Sequence, residues 1–468
     1  MRLTPMAWAE RLLPSPLYGR ARPHLARLEA LFTGEEDRDG ARRMALIVFA
    51  IRVFGAFLAY VSQVILARLM GGHEYGIFVV VWTLVVVFGI FAPFGFSSSV
   101  LRLIPECRAR ADHAGLNGVL LGSRLFGLAS ATAIALVGCV GITVFSGLIT
   151  SYYVLPLYLG AVCLPLFTLG SIQDGIARAH DWTFDAMLPT FVWRPLAILV
   201  AMVLAVVLGA PATATTAGIA AIAATWGVAA VQTLRLRRRL KGVTEKAPPA
   251  FDFRGWLAIS VPILLVEGFF QLITSADVIM VSFFRPPDEV AVYFAAARTL
   301  ALAHFVYFAV RSATAHRYSR LYQAGDRDGL AALVADTARW TFWPTLAIAL
   351  LLALAGPLLL SLFGPGFMAG YPILLVLLAG VLARASVGPV DALLTMAGEQ
   401  NRCAAIYALT FALNVGLNLA LIPLFGIMGA GLATASAMVF EAAALYHQAQ
   451  ARLDLHTFVW RRQAHERA

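Results

Sequence analysis

Arg52, Gln63, Glu267, Gln271, Arg298, His304 and Arg311 are charged or strongly polar side chains set in long apolar stretches. A charge in hydrocarbon costs roughly 2.5–3.5 kcal/mol on insertion scales, so each needs a partner or an aqueous recess. Arginine offers a planar fork of donors that binds the oxygens of phosphate or carboxylate in pairs. Glu267 and Asp277 have the opposite chemistry and can carry a proton or a sodium ion. Arg52 and Gln63 share one helical face. Glu267, Gln271, Thr274 and Ser275 stand at i, i+4, i+7 and i+8, a polar stripe on an apolar helix. At 100° per residue, Tyr293, His304 and Arg311 fall within about 20° of one another, and Arg298 lies over 100° away beside Phe294 and Phe305. Arg298 therefore needs an anion of its own, either a substrate or a carboxylate such as Glu267. Arg311 and Asp277 lie near span ends, where snorkelling to headgroups is the alternative.

The elements that must position these groups are membrane-spanning helices. Of 468 residues, 60% are hydrophobic and 13% charged, against about 25% charged in soluble domains. Twelve apolar windows stand out, at 44–66, 76–100, 117–143, 152–173, 187–209, 212–233, 256–280, 289–310, 340–363, 371–392, 403–424 and 427–447. Each matches the roughly 20 residues that cross a hydrocarbon core about 30 Å thick. Backbone groups in lipid must bond within the segment, and no barrel-like alternation is visible, so the windows predict helices.

The net charge of +10 reads as topology and lipid contact, not as a nucleic-acid footprint. One set of connectors carries Arg102, Arg108 and Arg110, then Arg178, the run Arg235-Leu-Arg-Arg-Arg-Leu-Lys241, Arg317, Arg320 and Arg327, and Arg402. The alternate connectors are nearly empty of charge. The basic set predicts the cytoplasmic side of a bacterial inner membrane, with both termini inside. Arg42 and Arg43 before the first span, and Arg461 and Arg462 after the last, agree with that. The expected division is a cytoplasmic segment 1–43, a six-helix lobe 44–234, a basic linker 235–254, a second six-helix lobe 255–447 and a tail 448–468. No cleavable signal is read at the start. Leu25, Leu28 and Phe32 outline a short amphipathic helix, lying either on the membrane or in the cytosol.

The halves echo each other. Glu74 falls on Glu289, Phe78 on Tyr293 and Arg102 on Arg317, and one inserted residue brings Thr83-Leu84 onto Thr299-Leu300. With six spans per half the repeat is parallel, a pseudo-two-fold about the membrane normal. Cys107, Cys139, Cys163 and Cys403 have no paired spacing and read as small buried side chains. GxxxxGK[ST], HExxH and GxSxG are absent, and no metal or cofactor is expected. Connectors on the charge-poor side are too short to build a glycosyltransferase or polymerase site.

The stretch Leu66-Ala-Arg-Leu-Met-Gly-Gly-His-Glu-Tyr-Gly-Ile-Phe78 resembles the first-loop signature of polysaccharide transporters. So does the second span ending Phe94-Gly-Phe-Ser-Ser-Ser-Val-Leu-Arg102, and Asp277 followed by Asp288, Glu289 and Tyr293 in the second half. The likeness runs from about 44 to 447 and is to the Wzx-like members of the multidrug/oligosaccharidyl-lipid/polysaccharide exporter superfamily. It implies alternating-access flipping of a lipid-linked oligosaccharide to the periplasmic leaflet for lipopolysaccharide, capsule or exopolysaccharide. The other reading is an ion-coupled drug or metabolite efflux antiporter of the same architecture. On the flippase reading, Arg52, Arg298 and Arg311 attract the pyrophosphate of a polyprenyl-linked oligosaccharide, and Gln63, Gln271 and His304 line the cleft. Glu267 or Asp277 holds the coupling proton or sodium ion. Polymerase or other assembly proteins are the expected partners. Arg124 and Arg194 are expected to snorkel, Arg384, Asp391 and Glu399 to form a structural ion network, and Glu441 to stand alone.

Overall fold

The computed structural model describes residues 37–245 and 247–460, with side chains from 47 onward. The expected helix within 21–32, Arg42 and Arg43, Lys246, and Arg461 and Arg462 lie outside the described residues or side chains. Every regular element among the described residues is helical. In order these are α1 (Asp37–Phe91), α2 (Phe96–Ala109), α3 (His113–Val144), α4 (Ser151–Ala179), α5 (Thr183–Leu188), a π-helical turn (Pro189–Trp193), α6 (Arg194–Val207), α7 (Ala214–Leu240) and α8 (Phe253–Phe284). Then follow α9 (Pro287–Leu300), α10 (His304–Gln323), α11 (Arg327–Ser361), a 3₁₀ turn (Phe367–Gly370), α12 (Tyr371–Ala385), α13 (Val390–Met396), α14 (Gln400–Phe425) and α15 (Ile427–Leu453).

Among the described residues ten segments are long and apolar enough to cross a membrane, and eleven if α9 and α10, bent by 42°, form one span. One of the ten, 47–109, has 63 residues. Straight, it would reach about 95 Å, roughly three times the hydrocarbon thickness. Gly71 breaks it at φ 76°, ψ 171°. With its two legs counted apart and α9–α10 as one span, the described residues offer twelve candidate crossings, six in each half, as the apolar windows predict.

The repeat is visible in local chemistry. Asp112 caps α3 by accepting from the Gly115 N–H at 2.8 Å, and Asp326 caps α11 from Gly329 at 2.8 Å. Each Asp-x-x-Gly follows a left-handed residue, Ala111 (φ 53°) or Gly325 (φ 69°). The side-chain oxygen satisfies a donor that the first helical turn leaves orphaned. In both halves the second span is broken. Phe94 (φ 50°) and Gly95 (φ 83°) interrupt it before α2, and 301–303 separate α9 from α10. That second break corrects the expected stripe of Tyr293, His304 and Arg311. A constant 100° per residue does not carry across a non-helical turn, so Tyr293 on α9 is out of register with His304 and Arg311, which share α10.

The halves are pinned at the charge-poor end. A Cβ on Gly76 would stand 1.9 Å from the Pro287 carbonyl oxygen, so only glycine lets α1 and α9 meet. Arg68 donates to the carbonyls of Ser361 and Leu362, both at 2.7 Å, capping the C-terminal end of α11, where the helix dipole is negative. His73 Nδ1 lies 3.1 Å from Asp288. Tyr60 and Phe363 meet edge to face at 5.5 Å. At the arginine-rich end, α10 finds its partners in α11 and α13 of its own half. There the first half is joined instead by the start of α8. Trp256 belongs to one buried cluster with Phe96, Leu116 and Leu236, and the Ala250 N–H donates to the Ala114 carbonyl at 3.0 Å. Gly76→Ala is expected to cost about 1–3 kcal/mol by overpacking, because the atom it strikes is backbone. Thermal unfolding in detergent measures this, and an unchanged melt would remove the seal from the account.

Candidate functional site

Arg298 lies eleven residues into α9 from the charge-poor end, about 16 Å along the helix and two residues before its end. It is exposed, while its neighbours Ala296, Thr299 and Leu300 are buried. Its guanidinium lies 4.8 Å from the centroid of the Phe294 ring and within electrostatic reach of Tyr75, both buried between the halves. Among the described residues it forms no ion pair and no hydrogen bond. The pairing with Glu267 is not formed. Glu267 instead accepts from Ser98 Oγ at 2.5 Å, where α8 crosses the break in the second span. A Cβ on Gly95 would lie 2.1 Å from the Ser260 oxygen.

Arg52 and Arg298 are not one clamp. Tyr60 Oη and Thr299 Oγ1 are 3.3 Å apart, which puts Arg298 level with residue 60 of the first span. Arg52 is eight residues nearer the arginine-rich end, about 12 Å away along the helix. It is exposed beside Phe49, Phe54 and Phe57, 5.6 Å from the Phe191 ring. The two guanidinium groups therefore stand at different depths. Gln63 is engaged by Tyr75, which donates to its Oε1 at 2.8 Å. Gln271 donates to Ser275 at 2.5 Å, keeping the polar stripe of α8 on one face.

Arg311 already has an anion, Asp391, at 2.8 Å, and Tyr307 also donates to Asp391. Arg384 pairs with Glu441 at 3.0 Å and lies 4.6 Å from the Tyr307 ring. His304 opens α10 one turn before Tyr307. Two expectations change here. Glu441 is not isolated, because α12 and α15 pack together and bring Arg384 to it. Glu399 is outside this network and pairs with Arg402 at 2.8 Å. Arg194 is not a snorkelling residue either. It is 7% exposed, folded inward over Phe167 at 4.5 Å.

Asp277 is buried, not at the headgroups. It accepts from Tyr293 Oη at 2.5 Å and from the Val278 N–H at 2.9 Å. Around it Asn414 donates to Thr434 at 3.3 Å, and Asn418 donates to Asn414 Oδ1 at 3.0 Å. Asn418 Oδ1 is buried with no partner among the described residues. The cluster joins α8, α9, α14 and α15 with one carboxylate and several neutral oxygens, the donor set that suits a proton or a small monovalent cation. Among the described residues no three His, Cys, Asp or Glu side chains converge. Sequence reading missed Asn414, Asn418 and Thr434. The signal was there, since two asparagines at i and i+4 are costly in an apolar span.

The model of a family described as "Polysaccharide biosynthesis protein" matches residues 42–315, more than half of the chain. The chain belongs to the polysaccharide biosynthesis protein family. A second model, MatE, matches 262–420. A search of the curated proteins returned no match. Among solved structures, an inward-facing multidrug resistance MATE family transporter of the MOP superfamily is similar, with TM-score 0.68 and 16% identity over 87% of this chain and 94% of that one. The lipid II flippase MurJ, in an inward closed conformation, gives 0.65 and 16% over 86% and 87%. A MOP superfamily transporter from Pyrococcus furiosus gives 0.64 and 16% over 91% and 97%. At these identities the likeness is one of fold, two lobes of membrane-spanning helices. This family member is a multi-pass membrane protein.

Proposed function

We propose that the protein flips a lipid-linked oligosaccharide from the cytoplasmic to the periplasmic leaflet of a bacterial inner membrane, for polysaccharide assembly. The observation that carries this reading is Arg298, a mid-depth guanidinium left without a carboxylate among the described residues, beside side chains buried between the halves. A diphosphate supplies the anion it lacks, and the polyprenyl tail stays in lipid. On the positive-inside rule the arginine-rich end is cytoplasmic. Both termini are then inside, with lobes 44–234 and 255–447 about a linker 235–254. In this frame the seal at Gly76, Arg68 and His73 closes the periplasmic side. Arg52 stands near the cytoplasmic mouth, and Arg298 is the deeper station. Alternating access requires the substrate or an ion to bind the two states unequally. Asp277, with Tyr293, Thr434 and the free Asn418 oxygen, is the group we assign to the coupling proton or sodium ion.

The test is a strain depleted of the protein. Polyprenyl-diphosphate-linked glycan is expected to accumulate on the cytoplasmic leaflet, and Asp277→Asn is expected to restore its clearance only weakly. Normal glycan export together with drug hypersensitivity would overturn the reading in favour of efflux, in line with the multidrug resistance transporter among the similar structures.

A further inference from the structure

Flipping as described uses α1, α8 and α9, yet the first half holds a buried polar cluster that none of those steps touches. Asp174, half-buried on α4, accepts from Gln232 Nε2 on α7 at 2.6 Å and from Thr190 Oγ1. Thr190 lies within the π-helical turn, where the Arg194 N–H reaches back to the Pro189 carbonyl. π-turns inside helices are uncommon and frequent at functional sites. Arg194 is 7% exposed, and its Nε is sealed without a partner among the described residues. Its Nη2 approaches the same side of α4 one turn away, 3.1 Å from where a Cβ on Gly170 would sit, and Gln232 Oε1 is 3.8 Å from that point.

We infer that Asp174 is a proton-exchange site in the first half whose occupancy sets the geometry of the π-turn. The donor set selects the proton over a metal cation. Thr190 and Gln232 both aim hydrogens at the carboxylate, leaving no ring of lone pairs, and the Arg194 charge repels a second cation. When a proton from water joins Oδ2, the carboxyl group becomes the donor there. Thr190 must then turn to accept, while Gln232 keeps Oδ1. Arg194 loses its counter-charge at the same moment. Both changes fall on the turn 189–194.

The other charged groups around the site are accounted for. Arg178, one turn on along α4, donates to the Ser97 carbonyl at 3.2 Å. Asp185 on α5 is held by Arg235 and Arg239 of α7, both at 3.0 Å. Arg52 of α1 lies over Phe191. Arg124 of α3 has its Nε and Nη2 buried without partners among the described residues.

Any link from this site to transport rests on the flippase reading, but the test needs no glycan. Full-length protein in lipid nanodiscs is compared between about pH 5 and about pH 8, by infrared difference spectroscopy of the carboxyl stretch and by amide hydrogen exchange over 189–194. The expected result is a carboxyl band that is missing from Asp174→Asn and restored in Asp174→Glu. Exchange over the turn should follow pH in the wild type and cease to follow it in Asp174→Asn. Thr190→Val keeps the acid but removes the group that must turn, so its band persists while exchange becomes independent of pH. Identical spectra for wild type and Asp174→Asn overturn the proposal. So does Thr190→Val exchange that tracks pH as the wild type does, a result that stands even where Asp174→Asn fails to fold.

Discussion

Arg298→Ala is expected to slow glycan flipping about 10- to 100-fold while leaving the protein folded. A hydrogen bond to a charged group contributes about 1.5–3 kcal/mol, and each 1.4 kcal/mol is a factor of ten. Folding should survive because the guanidinium has no intramolecular partner among the described residues to orphan, and because removing a lone charge at that depth lowers the cost of insertion. Arg298→Lys should recover part of the rate, keeping a point charge and losing the two-pronged geometry. Arg52→Ala should have the smaller effect, since that side chain stands about 12 Å nearer the mouth. Reconstituted flipping of a polyprenyl-diphosphate glycan, read by leaflet-specific labelling, measures all three. Full activity in both alanine variants removes phosphate recognition from the account.

Arg384→Ala is expected to be the most damaging change to stability. Glu441 is 1% exposed and Arg384 is 8% exposed. Taking away one member leaves the other charged in the interior, at a cost of about 3–5 kcal/mol. Glu441→Leu should be equally harmful. The double variant Arg384→Met with Glu441→Leu should return most of the loss, because a buried pair replaced by apolar groups of similar size is often neutral. Melting of detergent-solubilised protein is the readout. Single variants as stable as the wild type, or a double as weak as the singles, would show that the pair contributes little to holding α12 and α15 together.

What could be foreseen in the sequence, and what could not, follows from the range of each interaction. The spans were visible because lipid imposes length and apolarity residue by residue. The break in the second span carries its own marks, Pro93 and Gly95. The break in the eighth is Ala301-Leu302-Ala303, ordinary helix formers, and so stayed hidden until helix packing revealed it. Arg298 was conspicuous as a charge in an apolar window, but whether Glu267 would answer it depended on the fold. Arg384 and Glu441 are 57 residues apart, and only the packing of α12 on α15 makes them a pair. The Asp174 cluster escaped notice because Thr190 and Gln232 are uncharged and sit near span ends.

Arg68 holds the halves together through two main-chain oxygens, not through a side chain. Every residue type supplies those oxygens, so positions 361 and 362 can drift without loosening the closed face. A saturation scan should then find a lopsided contact, intolerant at 68 and silent opposite. Methods that infer proximity from paired sequence change would overlook this tie between the two lobes.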